Sequence, residues 1–304
     1  MLLKTLASFA VLASAALAAP PKGAAYDHVF VIFLENTDYS LAYSDSNFQA
    51  LLSQGVLLDN YHGLTHPSQP NYIAAIAGDY FDVSSDSSTE FDSTYKTVVD
   101  LIEAKQLTWK GYMEDIPSAC YTGTSSKSLY YRKHDPFVSF DLISKNMTRC
   151  ISHVVPATQL QTDLNNGSLP NYSFYTPNIK NDGHDTTVAY ASQWLTGFLT
   201  PLLSNPNFLK NTLVVVTFDE ADDYSDETNH ILTLLLGDAV SSLKGTTDDT
   251  YYTHYSLIST VTNNWGLGNL GRNDVGQLAN VFSFVANATG YQNVAVPNPP
   301  PLNG

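Results

Sequence analysis

Residues 28–36 read HVFVIFLEN. Valine, isoleucine, phenylalanine and leucine follow one another with no polar alternation, so neither face of the stretch suits water. Such a run is a strand buried on both sides, the habit of a parallel sheet. It stops at Glu35 and Asn36. A carboxylate and an amide at the carboxyl end of a strand stand where open α/β sheets bind ligands.

Further elements follow on both sides. NFQALLSQG (47–55) reads as a helix closed by Gly55, and VLLDNYHGL (56–64) as the next strand. PNYIAAIAG (70–78) reads as a helix with Pro70 at its first position. TVVDLIEAKQL (97–107) is helical and TWKGYME (108–114) extended. After an irregular, Ser-rich insertion at about 116–169, YSFYTPN (172–178) is again a strand. Val188, Ala191, Trp194, Leu195, Phe198, Leu199 and Leu202 fall at helical spacing. TLVVVTFDE (212–220) and ILTLLLG (231–237) are two more buried strands, and HYSLISTVTNNWGL (254–267) is a late helix. The alternation predicts one α/β domain built on a doubly wound, mostly parallel sheet with helices on both faces. Its expected bounds are 20–290, followed by a frayed Pro/Asn-rich tail at 291–304.

The first 19 residues, MLLKTLASFAVLASAALAA, have a lysine, a short apolar run and small residues near Ala18 and Ala19. They read as a secretory signal peptide, too short for a membrane anchor. Export fits four Asn-X-Ser/Thr sequons, at Asn146, Asn166, Asn171 and Asn287. It also fits two cysteines, Cys120 and Cys150, which are expected to pair in an oxidising compartment. The formal net charge of -15 argues against a nucleic-acid partner. It also opposes an anionic substrate, unless a bound cation offsets the repulsion locally.

Polar residues gather just past the strands. The first strand brings Glu35 and Asn36; the second brings His62, Thr65, His66 and Ser68. Asn178, Asp182, His184 and Asp185 follow YSFYTPN, and Asp219 and Glu220 close TLVVVTFDE. His230 and His254 lie near later elements. Singly each is a turn residue, a cap or a structural histidine. Jointly they converge on one sheet edge. Glu35, Asn36, Asp219 and Glu220 form an oxygen-rich set suited to Mg²⁺, Ca²⁺ or Mn²⁺, and the histidines keep Zn²⁺ open. Ser68, at the mouth of a helix, is either a plain N-cap or a nucleophile with a phosphate seat beside it; a serine can be both.

ENTDY, SQPNY, KHDPF, NDGHD, TFDE and THYSL, in this order, resemble the phosphoesterase family that contains secreted fungal acid phosphatases and bacterial phospholipases C, within the alkaline phosphatase superfamily. The resemblance covers almost the whole chain after the leader. It implies Glu35, Asn36, Asp219 and Glu220 as ligands of one divalent metal, Ser68 as nucleophile and Asn71 as phosphate-binding amide. It implies that His184 and His254 contact phosphate or protonate the leaving group, with His134 at the pocket rim. Thr65 is the alternative nucleophile, and His230 and Asp182 are further substrate-binding candidates. The expected activity is hydrolysis of small phosphate monoesters through a phosphoseryl intermediate, fastest in acid. A phospholipase-C-type diesterase and a non-catalytic glycan-binding protein are the alternatives.

Overall fold

The computed structural model describes residues 21–225 and 227–302, so the expected signal peptide lies outside the described residues. The chain begins with β1 (His28–Leu34), α1 (Tyr39–Ser44), α2 (Ser46–Leu52), β2 (Val56–Leu58), β3 (Tyr61–His62) and α3 (Ser68–Ala77). It continues through α4 (Val98–Ala104), β4 (Trp109–Met113), a small hairpin of β5 (Ser125–Ser126) and β6 (Tyr130–Tyr131), α5 (Asp141–Ser144) and α6 (Met147–His153). Then come β7 (Val154–Pro156), α7 (Gln159–Asn165), β8 (Tyr172–Thr176), α8 (Val188–Leu202), α9 (Pro206–Leu209) and β9 (Thr212–Phe218). The last are β10 (Thr233–Leu236), β11 (Thr246–Asp248), β12 (Tyr252–Thr253), α10 (His254–Trp265) and α11 (Ser283–Thr289).

Eight strands form the main sheet in the order β11-β2-β10-β9-β1-β8-β4-β7. β1 sits inside it, parallel to both β8 and β9. Every residue from Val29 to Leu34 is buried, as its unbroken apolar run requires. The sheet is mixed: β10 runs antiparallel to β9 and to β2. The helices α3, α4, α10 and α11 pack on one another, while α2 packs on α8. The register matters for function. Leu34 lies opposite Phe218, so the residues that follow, Glu35 and Asp219, emerge at the same level.

Four expectations change. VLLDNYHGL is not one strand. It breaks at Asp59-Asn60, a turn-forming pair; β2 stays in the main sheet and β3 leaves to pair with β12. Helix α3 starts at Ser68, so Pro70 is its third residue; its missing N–H is still one of the unpaired donors of the first turn. The insertion supplies an edge strand, β7, parallel to β4, and carries the Cys120–Cys150 disulfide. The tail is tied down at Leu302, which is buried beside Leu64 and Tyr251 and donates its N–H to the Glu227 carbonyl.

Three sequons, at Asn146, Asn166 and Asn287, are exposed. Asn171 is not. Its amide is buried, donating to the Asp27 carbonyl (3.0 Å) and accepting from the Thr108 N–H (3.1 Å), so it is a joint between loops rather than a glycan acceptor. Among the described residues no helix is long and apolar enough to cross a membrane.

Candidate active site

The site forms where β1, β8 and β9 end. The Glu35 N–H donates to the Asp182 carbonyl (2.9 Å) and the Asp219 N–H to the Leu34 carbonyl (3.0 Å), so backbone bonds fix three acidic residues before any side chain acts. Asn36 has φ 37°, a left-handed backbone that asparagine tolerates. There its N–H donates to Asp219 Oδ1 (3.1 Å).

Ser68, the first residue of α3, is buried at the centre of this group. Its Oγ lies 3.0 Å from Glu35 Oε2 and 3.1 Å from Glu220 Oε1, with Asn36 Oδ1 at 3.5 Å. A hydroxyl has one proton, so it can serve one of these oxygens at a time. Lys133 Nζ donates toward Ser68 Oγ (3.4 Å) from the other side and also meets Asp86 Oδ2 (2.9 Å) and His184 Nε2 (3.2 Å). His184 is partly exposed and holds its Nδ1 at 2.8 Å from Asp185 Oδ1.

Behind Ser68 the pocket is strongly acidic. Burial raises the carboxyl of Glu35 well above its usual range, helped by the charges of Asp219 and Asp182. Burial likewise raises Asp182, and raises Asp219 to about 6. Glu220 is pushed up to about 10, by burial and then by the Asp219 charge. Tyr72 donates its hydroxyl to Glu35, and His66 pairs with Glu220. His134 is buried with Nε2 at 3.2 Å from Glu35 Oε1 and Nδ1 at 3.4 Å from Asp182 Oδ2. Burial holds its imidazole well below its ordinary pKa. A neutral imidazole has one N–H for these two carboxylates.

Such a group fits a divalent cation. Glu35, His134 and Asp182 each offer a ligand atom within 4.8 Å of the others. Oxygen donors suit Mg²⁺, Ca²⁺ or Mn²⁺, and the imidazole admits Zn²⁺. Positive charge here would replace the protons that burial otherwise keeps on the carboxylates. His134 and Asp182 are both buried among these carboxylates, so His134 does not stand at an exposed rim.

Four other expected site residues bond chiefly within the fold. Asn71 is buried, and its amide is consumed locally: Oδ1 accepts from the Leu64 N–H (2.8 Å) and Nδ2 donates to the Thr65 carbonyl (2.7 Å). It shapes the turn that presents Ser68, and its second N–H faces the Pro67 carbonyl at 3.5 Å. The Thr65 hydroxyl donates to the His66 carbonyl (3.2 Å), away from the carboxylates. His254 is buried; its Nε2 donates to the Asp219 carbonyl (2.6 Å) and its Nδ1 faces the Tyr61 hydroxyl (3.4 Å). Burial pushes its pKa down to about 4, so it braces the β9 end as a neutral ring. His230 bonds the Asp59 carbonyl (2.7 Å) and stacks on Tyr39. Lys133, Asp86 and Tyr72 were missed as site residues. The first and last lie inside KHDPF and SQPNY; Asp86 sits in SSDSS with no signal of its own.

Solved structures share this architecture. A protein of the alkaline phosphatase superfamily from Vibrio parahaemolyticus matches with TM-score 0.56 at 13% identity, over 84% of this chain and 70% of that one. The phosphonate monoester hydrolase of Agrobacterium radiobacter matches with TM-score 0.53 at 10% identity, over 83% of this chain and 77% of that one. At these identities the likeness is one of fold. Sequence relatives are nearer. An acid phosphatase of Aspergillus fumigatus is 43% identical over 282 residues, 90% of this chain and 62% of that protein. A phosphate-repressible acid phosphatase of Penicillium chrysogenum is 44% identical over 277 residues, 90% of this chain and 66% of that protein. This chain therefore spans under two thirds of the length of these fungal relatives. A phosphatidylinositol-3-phosphatase of Mycobacterium tuberculosis is 29% identical over 249 residues, 81% of this chain and 79% of that protein. The pattern of one family runs through residues 39–268, taking in Ser68, Lys133, His134, Asp182, His184, Asp219 and Glu220. With most of the described fold inside that match, the chain belongs to the Phosphoesterase family.

Proposed function

We propose that this chain is an acid phosphatase, hydrolysing small phosphate monoesters with Ser68 as nucleophile. The observation that carries the reading is the Ser68 hydroxyl at the start of α3, between the Glu35 and Glu220 carboxylates and the Lys133 ammonium. The fungal relatives support the substrate class.

Ser68 Oγ attacks phosphorus as its proton passes to Glu220 or Glu35, in the ionised form that a bound cation would favour over the protonated one. The Oγ–P bond forms and the ester P–O bond breaks on the opposite side. Phosphoryl transfer depends on positioning and charge neutralisation, and Lys133 supplies an ammonium beside the attacking oxygen. His184, partly exposed and oriented by Asp185, gives a proton to the departing alkoxide from Nε2, once Lys133 has turned from that nitrogen to the phosphoryl group and the ring carries both protons. Water then attacks the phosphoseryl phosphorus, the P–Oγ bond breaks, inorganic phosphate leaves and Ser68 Oγ recovers its proton. A divalent cation held by Glu35, His134 and Asp182 with the adjoining Asp219 and Glu220 would supply further charge neutralisation.

Secretion belongs to the same proposal. The Cys120–Cys150 bridge and the exposed sequons at Asn146, Asn166 and Asn287 support it.

The test is Ser68→Ala. Loss of a nucleophile should lower p-nitrophenyl phosphate hydrolysis at least about a thousandfold. Ser68 is not the N-cap of α3, so thermal unfolding should barely change. A folded Ser68→Ala protein with near-normal turnover would refute the assignment.

A further inference from the structure

Asp86 lies on the loop between α3 and α4, yet its carboxylate reaches the site. Oδ1 accepts from the Gln69 N–H (3.0 Å), in the first turn of α3, and Oδ2 accepts from Lys133 Nζ (2.9 Å). These donors flank Ser68 and are well placed to meet phosphoryl oxygens. The loop is held there on purpose-built bonds: Gln69 Nε2 donates to the carbonyls of Ser85 (2.9 Å) and Ser87 (2.6 Å). Asp86 also faces Glu220 closely enough for its charge to help keep the Glu220 proton in place. The site thus has a fixed anion beside its nucleophile, spanning a helix N-terminal N–H and an ammonium as a phosphate oxygen pair would.

We infer that Asp86 is a specificity-determining residue that filters substrates by phosphoryl charge. The inference rests on the proposed function of Ser68. A doubly charged phosphoryl group meets Asp86 with more repulsion than a singly charged one, and competes with it for Lys133 and the Gln69 N–H. The favoured substrates are therefore singly charged phosphate esters: monoesters below their second pKa of about 6, or diesters. That selectivity gives an acid preference to monoester hydrolysis through the substrate's own ionisation.

The experiment compares p-nitrophenyl phosphate and bis-p-nitrophenyl phosphate at one pH above that second pKa, where the first is a dianion and the second a monoanion. Asp86→Asn should raise the monoester-to-diester ratio of kcat/KM roughly tenfold, the scale of one charge-assisted hydrogen bond. It should also lower the inhibition constant of inorganic phosphate. Asp86→Glu, which keeps the charge, should keep the wild-type ratio. If Asp86→Asn slows both substrates equally, or leaves ratio and inhibition unchanged, Asp86 only positions Lys133 and the inference is overturned. Failure of the underlying reading looks different: wild-type hydrolysis that Ser68→Ala does not diminish, or no hydrolysis at all, overturns both.

Discussion

Two sites in this molecule bury carboxylates and behave oppositely. Around Asp163, on α7, the carboxylate accepts from Lys110 Nζ (2.5 Å), the Tyr112 hydroxyl (2.6 Å) and Gln159 Nε2 (3.0 Å). Burial alone would raise its pKa, but these donors outweigh it and Asp163 sits below the ordinary carboxylate range. At the ends of β1, β8 and β9, Glu35, Asp182, Asp219 and Glu220 are also buried, and all four are raised. Donors there are too few for the number of carboxylate oxygens. A cluster that completes its own hydrogen bonds is structural; one that crowds like charges around a hydroxyl is poised for a cation and a substrate.

The contrast breaks if substitutions in the two sites have the same kind of effect. Lys133→Met should lower kcat/KM on the order of a hundredfold, the usual loss when a preorganised charge at the reacting centre is removed. Asp163→Asn should leave kcat/KM near wild type and instead cost about 1–3 kcal/mol of stability, because the Lys110 ammonium loses its partner. Steady-state kinetics and denaturant unfolding on both variants decide it. Equal kinetic losses, or a kinetically silent Lys133→Met, would mean the two clusters are not different in kind.

The next test sharpens the electrostatic half of the comparison. A carboxyl whose folded pKa is raised stabilises the protein below its unfolded pKa and loses that contribution as pH rises through the folded value. For Asp219 the window runs from 3.8 to about 6, and for Glu220 from 4.5 to about 10. The unfolding temperature of metal-depleted protein should therefore fall as pH rises through this range. Glu220→Gln, a neutral stand-in for the protonated acid, should fall less steeply, and a divalent cation should flatten the wild-type curve. Identical slopes for wild type and Glu220→Gln without metal would show that Glu220 ionises normally.

The scaffold of this site was legible because its signals are local. Unbroken apolar runs mark β1 and β9, and Glu35, Asp219 and Glu220 stand directly at their ends. Parallel pairing then brings the ends together whatever the intervening chain does. The groups that act through distance were not legible. Lys133 meets Ser68 from 65 residues away and Asp86 meets Lys133 from 47, contacts that exist only once the insertion has packed. β7 escaped notice because three residues after a helix carry too little pattern to register as a strand. The antiparallel entry of β10 was equally hidden, since a strand buried on both faces looks the same in either direction.

Histidine roles were the least legible of all, and they supply the last test. By sequence His184 and His254 are equivalent candidates to protonate the leaving group. In the fold His184 is partly exposed beside Lys133 and Asp185, while His254 is sealed between Phe33, Tyr61 and the Asp219 carbonyl. A buried ring whose one N–H is committed to a backbone carbonyl has no proton to deliver. His254→Gln can keep a donor toward that carbonyl, so kcat should fall less than about tenfold, with no dependence on the leaving group. His184→Gln should slow alkyl phosphates, whose alkoxides need a proton, far more than p-nitrophenyl phosphate, whose leaving group departs as a stable anion; general-acid contributions run about 10²–10⁴-fold. Measuring both variants on both substrate types separates the two histidines. If His254→Gln shows the steeper leaving-group dependence, the sealed ring is the acid after all, and the bracing role drawn from its bond to Asp219 is wrong.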